Sequence, residues 1–192
     1  MSHPEQQLDP HTLRLNLYLT QAVILGMAAI FSCLLHGFEG TIRLFHSPGL
    51  PDYIQAGGVV LLITASSIVV HRFVPRNWQD DGSINERVFQ GLPLWKTFLL
   101  CAGIGIAEEW LFRGVVQSWA GNLWTSCFFA LIHVRYLRKP LMVAMVFVTS
   151  YLLGCLYETH RSLLPPIAAH IGIDFLLAVY LQKVVHREGR NA

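Results

Sequence analysis

Charge is scarce in this chain: Asp, Glu, Lys and Arg make up 14% of its 192 residues, against about 25% in an ordinary soluble domain. With 53% hydrophobic residues and a mean hydropathy of +0.45, that shortage weighs against a soluble helical core and predicts a chain that meets lipid along most of its length. Basic runs are missing too. The net charge is only +2, and no basic patch suggests a nucleic-acid partner. Cysteine is sparse: Cys33, Cys101, Cys127 and Cys155 are scattered through apolar stretches without a C-x-x-C pair, which argues against a disulfide framework or a thiolate metal site. They read as packed or lipid-facing small hydrophobes. There is no internal repeat and no low-complexity tract, so one domain is expected. Lys and Arg are absent before Arg14, whereas Glu5 and Asp9 are present. That pattern, followed by a long apolar run and no Ala-x-Ala site, predicts a retained first anchor rather than a cleaved signal.

What is there is apolar and helical. A helix rising 1.5 Å per residue needs about 20 mostly apolar residues to cross roughly 30 Å of hydrocarbon. Candidate spans fall near Leu15–Leu35, Tyr53–Val70, Leu94–Gln117, Leu123–Val134, Leu141–Tyr157 and Leu163–Val185. The expected fold is therefore all-α, a polytopic transmembrane helical bundle of about six spans. The fourth span is short. It must borrow Trp119 and Tyr136 at its ends or start deep within the protein.

Basic residues give an orientation. With the N-terminus in the cytoplasm, 11 of the 14 Lys and Arg fall on the inner side, only Arg43 and Arg161 fall outside, and Arg113 lies within a span. The positive-inside rule then predicts both termini in the cytoplasm of an integral protein of the plasma (inner) membrane. The main polar segment runs from His71 to Gly91. Asp80-Asp81-Gly82 reads as a turn, Ser83-x-x-Glu86 fits a capping box opening a short helix, and Val88 and Phe89 would lie on the membrane surface. Pro93 suits the first turn of the third span.

Three clusters stand inside apolar stretches: Glu108-Glu109-x-x-x-Arg113, Phe129-x-x-x-His133 and His170-x-x-x-Asp174. Ionisable groups at membrane depth are costly and mark function by default. On a helix Glu109 and Arg113 are four apart, the favoured spacing for an ion pair, while Glu108 points about 100° away. The two carboxylates need not share a role, and Glu108 is left for acid–base work. Snorkelling of all three charges at a span end is the bland alternative, opposed by Leu111, Phe112, Val115 and Val116 around them. A lone histidine in a span is usually a packing residue. Two alter that balance, since Asp174 lies one turn beyond His170 and could orient it, and Phe129 lies one turn before His133 and could lean over a substrate. Two histidines and carboxylates also suffice for a zinc site with an open position for water, with Glu108, His133, His170 and Asp174 as candidates. They serve equally in a metal-free mechanism, in which Glu108 activates water and the histidines bind the oxyanion.

These clusters, in this order across successive hydrophobic helices, resemble the CPBP family of CAAX-prenyl-protease-like and bacteriocin-processing intramembrane endopeptidases, also called the Abi family. The stretch from Glu158 to His170 resembles the family's approach to its third motif. The likeness runs from about Leu94 to Tyr180. It implies that Glu108 activates the attacking water, that Glu109 and Arg113 hold the helix and site together, and that His133 and His170 bind water, metal or oxyanion. The last motif position is more often Asn in the prenyl-protease branch. Here it is Asp174, which must be protonated, paired with His170 or bound to metal if it is not to oppose an oxyanion. The resemblance leaves no cofactor and one divalent metal, zinc, both open.

The expected organisation is two N-terminal spans and a loop with an interfacial helix over 1–92, a catalytic core over 93–185 and a cytoplasmic tail over 186–192. The expected activity is hydrolysis of a peptide bond in a membrane-associated protein or peptide. Two alternatives use the same helices: a non-catalytic immunity or scaffold protein, and a small ion or proton carrier. Carriers often show paired repeats, which this sequence does not. One geometric difficulty is visible: in this topology Glu108 and His170 lie nearer the outer half of the membrane, and His133 sits near the basic inner end at Arg135. Convergence needs tilted helices or a recessed fourth span.

Overall fold

The structure is a computed structural model that describes residues 9–79 and 83–188, so the Asp80-Asp81-Gly82 turn and the extreme termini, Glu5 and Arg190 among them, lie outside the described residues. The described chain is all-α, without a strand. Four helices are long and apolar enough to cross a membrane: α1 (Pro10–Arg43), α2 (Leu50–Phe73), α7 (Pro140–His160) and the Leu164–Val184 part of α8 (Leu164–Glu188). Between them lie the short α3 (Arg76–Gln79) and α4 (Ile84–Phe89), then α5 (Leu94–Glu109), a π-helical segment (Trp110–Val116) and α6 (Gln117–Ile132). Asp9 starts α1 by accepting from the backbone N–H of His11 at 3.1 Å, ahead of Pro10 at the first position.

The third and fourth expected spans are thus a continuous helical run from Leu94, broken once. The break is Gly121, at φ 75° and ψ 167°, a conformation open to glycine and closed to most L residues. Beyond it α6 folds back along the helix it came from. Phe112 and Phe129, seventeen positions apart, would stand about 25 Å apart on a straight helix, yet their rings meet edge to face at 4.8 Å. At 1.5 Å per residue, Glu108 lies about 21 Å from the level of Leu94, and the return past Gly121 brings His133 to about 22 Å. The returning helix is short because it ends there, in a 3₁₀ turn over Val134–Tyr136. That recess removes the difficulty over His133. Trp119, at the turn, is 84% exposed, whereas Tyr136 is buried and receives a hydrogen bond from Asn85 Nδ2 at 2.9 Å.

Small residues set how closely the helices approach. A Cβ on Gly105 would lie 2.8 Å from Ile171 Cγ1 and 3.3 Å from the Ile171 backbone nitrogen, so α5 and α8 touch nearly backbone to side chain beside the site. The Asn122 side chain fills the space over Gly154, and Gly172 receives Val60 of α2. Clusters around Leu100 and Cys101, around Leu153 and Ala169, and around Leu163 and Ile167 form the apolar interior.

The segment before α5 differs from expectation in two respects. Ser83 does precede α4, but at φ 59° and without a side-chain capping bond, so the capping box is not made. Val88 and Phe89 are buried against Leu100, Cys101 and Ala178 instead of lying on a membrane surface. Their backbone explains why. Arg14 Nε donates to the Val88 carbonyl at 2.8 Å and its Nη2 to that of Gln90, while Gln182 Nε2 donates to the carbonyls of Phe89 at 2.8 Å and Leu92 at 3.1 Å. The open end of a short helix is satisfied by side chains from α1 and α8, which draws the two aromatic and aliphatic residues inward.

Candidate active site

Residues of all three clusters line one cavity of about 550 Å³, Glu108, Phe129, His133, His170 and Asp174 among its walls. Glu109 and Arg113 are fully buried behind it. The expected i, i+4 pair is present: Arg113 Nε donates to Glu109 Oε2 at 2.9 Å. The rest of the guanidinium is also engaged, Nη1 by Gln117 Oε1 at 3.1 Å and Nη2 by Ser150 Oγ of α7 at 2.8 Å. Gln117 in turn donates to the Gly154 carbonyl at 3.1 Å and to Glu158 at 3.2 Å. A buried cation requires acceptors and a counter-charge, and here each of the three nitrogens has an acceptor and Glu109 supplies the charge. Snorkelling to an interface is therefore not what these two charges do.

The other oxygen of Glu109 receives His170. Nδ1 of that ring lies 2.8 Å from Glu109 Oε1. A carboxylate already bound to Arg113 accepts, so Nδ1 carries the hydrogen and Nε2 is the ring atom left to face the cavity. Nε2 stands 3.5 Å from Asp174 Oδ2 and 4.0 Å from Glu108 Oε2. Asp174 is thus placed beside His170, as the one-turn spacing suggested. Its side chain is 30% exposed and that of Glu108 13%, against 0% for Glu109.

His133 closes the end of α6. Its Nδ1 lies 2.7 Å from the Phe129 carbonyl, an acceptor only, so here too Nδ1–H donates and Nε2 is free of the backbone. Tyr136 stacks on the ring, with centroids 6.2 Å apart and planes inclined by 2°. Phe129 lies between the histidines, 4.7 Å from the His133 ring and 6.3 Å from that of His170. It is a buried part of the cavity wall.

Two contacts come from α1, in which sequence reasoning marked no site residue. Gln21 Nε2 donates to Glu108 Oε1 at 2.9 Å, and His36 Nε2 bonds to the Gly114 carbonyl at 2.8 Å inside the π segment. Such segments recur at functional sites, where an inserted residue re-aims the side chains that follow. Gln21, Gln117 and Ser150 carried the same signal as the motifs, polarity within an apolar stretch, but no spacing tied them to Glu108 or Arg113.

The residues do not fit a preformed metal site. Among the described residues, no group of three or more His, Cys, Asp and Glu is placed to hold an ion. Ligands of a tetrahedral zinc ion with bonds of 2.0–2.1 Å stand about 3.3 Å apart. The Asp174–His170 separation is near that value and the Glu108–His170 separation exceeds it.

Residues 90–176 match a family described as type II CAAX prenyl endopeptidase Rce1-like. The chain is also similar to YpbD of Bacillus subtilis (strain 168), an uncharacterized protein, with 38% identity over 125 residues that cover 65% of this chain and 66% of the relative. The similarity thus spans a little under two thirds of each. No solved structure matches the chain at a significant level.

Proposed function

Since the chain carries a domain of the Rce1-like type II CAAX prenyl endopeptidase family over residues 90–176, we propose that it is an intramembrane endopeptidase that hydrolyses a peptide bond in a membrane-associated protein or peptide. The observation that carries this reading is the unequal pair Glu108 and Glu109: one carboxylate is closed off by Arg113 and His170, and its neighbour faces the cavity beside the second nitrogen of the same histidine. A general base needs to be within reach of a water and not locked in a close ion pair; Glu108 lines the cavity and stands 4.0 Å from His170 Nε2.

In the proposed reaction Glu108 takes a proton from water, whose oxygen attacks the scissile carbonyl carbon. His133, with Nδ1–H engaged by Phe129, offers Nε2 as acceptor for the second water hydrogen. His170, carrying hydrogens on both ring nitrogens, donates Nε2–H to the developing oxyanion while Glu109 accepts from Nδ1–H. On collapse the C–N bond breaks and the amine leaves with the proton held by Glu108. Asp174 steadies His170 from the side, and Phe129 packs against the substrate near the bond. No step here runs through a metal ion.

The reading extends to the membrane. The four long apolar helices support an integral membrane protein, and we take the Leu94–Ala120 run and the recessed returning helix as two further membrane-embedded elements, with both termini cytoplasmic. On that view residues 93–185 form the catalytic core, and 1–92 support it. A cytoplasm-dependent reporter fused to the C-terminus is expected to be active, and one inserted at Ser47 silent; the reverse pattern would overturn the orientation.

The test of the activity compares membrane proteomes, by terminal-peptide mass spectrometry, between cells carrying the native protein and cells carrying Glu108→Gln. New termini that depend on Glu108 are expected. Identical sets of termini at equal protein abundance would overturn the protease reading.

A further inference from the structure

We propose that Gln21 of α1 is a positioning residue for the base, which makes the first helix a working part of the active site and not only an anchor. This rests on the reading of Glu108 as the base. Gln21 lies 87 positions before Glu108 and outside residues 90–176. Its amide nevertheless donates from Nε2 to Glu108 Oε1 at 2.9 Å.

The other end of the same amide makes the contact informative. Gln21 Oε1 is buried and has no hydrogen-bond partner among the described residues. A buried amide oxygen left unpaired is destabilising, and native structures hold few of them, commonly where function requires it. Hydrophobic packing alone would favour Leu or Met at this position of an apolar helix. The unpaired oxygen is a disadvantage on one side of the amide, and the compensating contact lies on the side that touches Glu108.

The geometry gives that contact a use. Glu108 makes no close ion pair among the described residues: Arg113 is occupied by Glu109, Gln117 and Ser150, and His170 Nε2 stands 4.0 Å from its Oε2. Its carboxylate would be free to rotate about its last bond. The Gln21 N–H fixes one oxygen and thereby aims the other, Oε2, toward His170 Nε2 at 4.0 Å, on the cavity side. A base must be held near its productive geometry to act, and a side chain held at one oxygen is so held. α1 can deliver this bond because it packs along both α5 and the π segment, and His36 ties it to the Gly114 carbonyl beyond.

The test uses the full-length protein in membranes and the termini that appear with the native chain but not with Glu108→Gln. Gln21→Met keeps length and burial and removes the N–H; Gln21→His keeps an N–H at similar reach. Expected is a loss of at least about tenfold in the yield of those termini for Gln21→Met at unchanged abundance, with Gln21→His retaining a third or more of the native yield. A purely structural role would rank the variants by fit to an apolar helix, with Met ahead of His. Yield within twofold of native for Gln21→Met, or His no better than Met, overturns the proposal. If no terminus depends on Glu108, the protease reading itself falls; if termini depend on Glu108 but not on Gln21, only the positioning role does.

Discussion

Glu108 and Glu109 are consecutive residues of one helix, and their surroundings are opposite. Around Glu109 every strong group has its complement: two oxygens meet Arg113 and His170, and the remaining guanidinium nitrogens meet Gln117 and Ser150. Around Glu108 one oxygen is held by a neutral amide and the other looks into a cavity at 4.0 Å from a ring nitrogen. The closed side is built to stay as it is, and the open side is built to accept something. A helix makes this division possible because adjacent side chains diverge by about 100°, so one can join the bundle interior while the next lines a cavity.

The sharpest way to break this contrast is to neutralise each acid in turn. Glu108→Gln is expected to lower cleavage by about 10²- to 10⁴-fold, the usual range for removing a general acid or base, with no loss of folded protein in membrane extracts. Glu109→Gln is expected to act through the fold. It leaves the buried Arg113 without its counter-charge, a change of about 3–5 kcal/mol when a buried pair is broken, read as a lower denaturation midpoint in detergent and as reduced abundance. Equal stability of the two variants would end the division of labour between the acids.

The contrast also depends on how close α5 lies to α8. Gly105→Val places branched carbons where Ile171 already stands at 2.8 Å from a first Cβ, and should push Glu108 away from His170. A displacement near 1 Å is expected to reduce turnover by about 10²-fold, with the four long helices still inserted, as judged by protease accessibility in vesicles. Native turnover in that variant would mean that the α5–α8 spacing does not set the site. The smallest effect is expected at Asp174→Asn. Asp174 lies 3.5 Å from His170 Nε2 and is the most exposed of the acids here, so an isosteric amide should alter turnover by less than about tenfold in either direction. A complete loss accompanied by loss of bound zinc from purified protein would point instead to a metal-dependent reaction.

Much of the site was legible in the residues themselves, because part of it is local. Glu109 meets Arg113 and His170 meets Asp174 at i, i+4, a proximity that the 3.6-residue turn imposes wherever a helix forms. Phe129 and His133 share a face for the same reason. The partners that closed or opened the site were not legible. Ser150, Gln117 and Gln21 carry polar groups in apolar stretches, but which of them meets Arg113 and which meets Glu108 depends on how α1 and α7 pack. Ser83 and Glu86 show the opposite failure, a correct local pattern without its bond. Apolarity alone suits Val88 and Phe89 to a membrane surface, whereas Arg14 and Gln182 hold their backbone against the bundle.

A helical, lipid-seeking chain follows from residue type and order alone, since burial of apolar residues and intrahelical satisfaction of the backbone are properties of each segment. Residue order also determined which ionisable groups stand in that apolar setting, and the pairing of Glu109 with Arg113. Only the tertiary structure decided that Glu108 is the free acid, because that depends on Arg113 being filled by Ser150 from α7 and on Gln21 arriving from α1. Only the tertiary structure brought His133 level with Glu108, through a reversal at Gly121 whose positive φ is stabilised by the packing of α6 on the π segment and α7. Contacts within a turn follow from helix geometry; contacts between residues 87 positions apart follow from packing, and the second kind set apart the two acids.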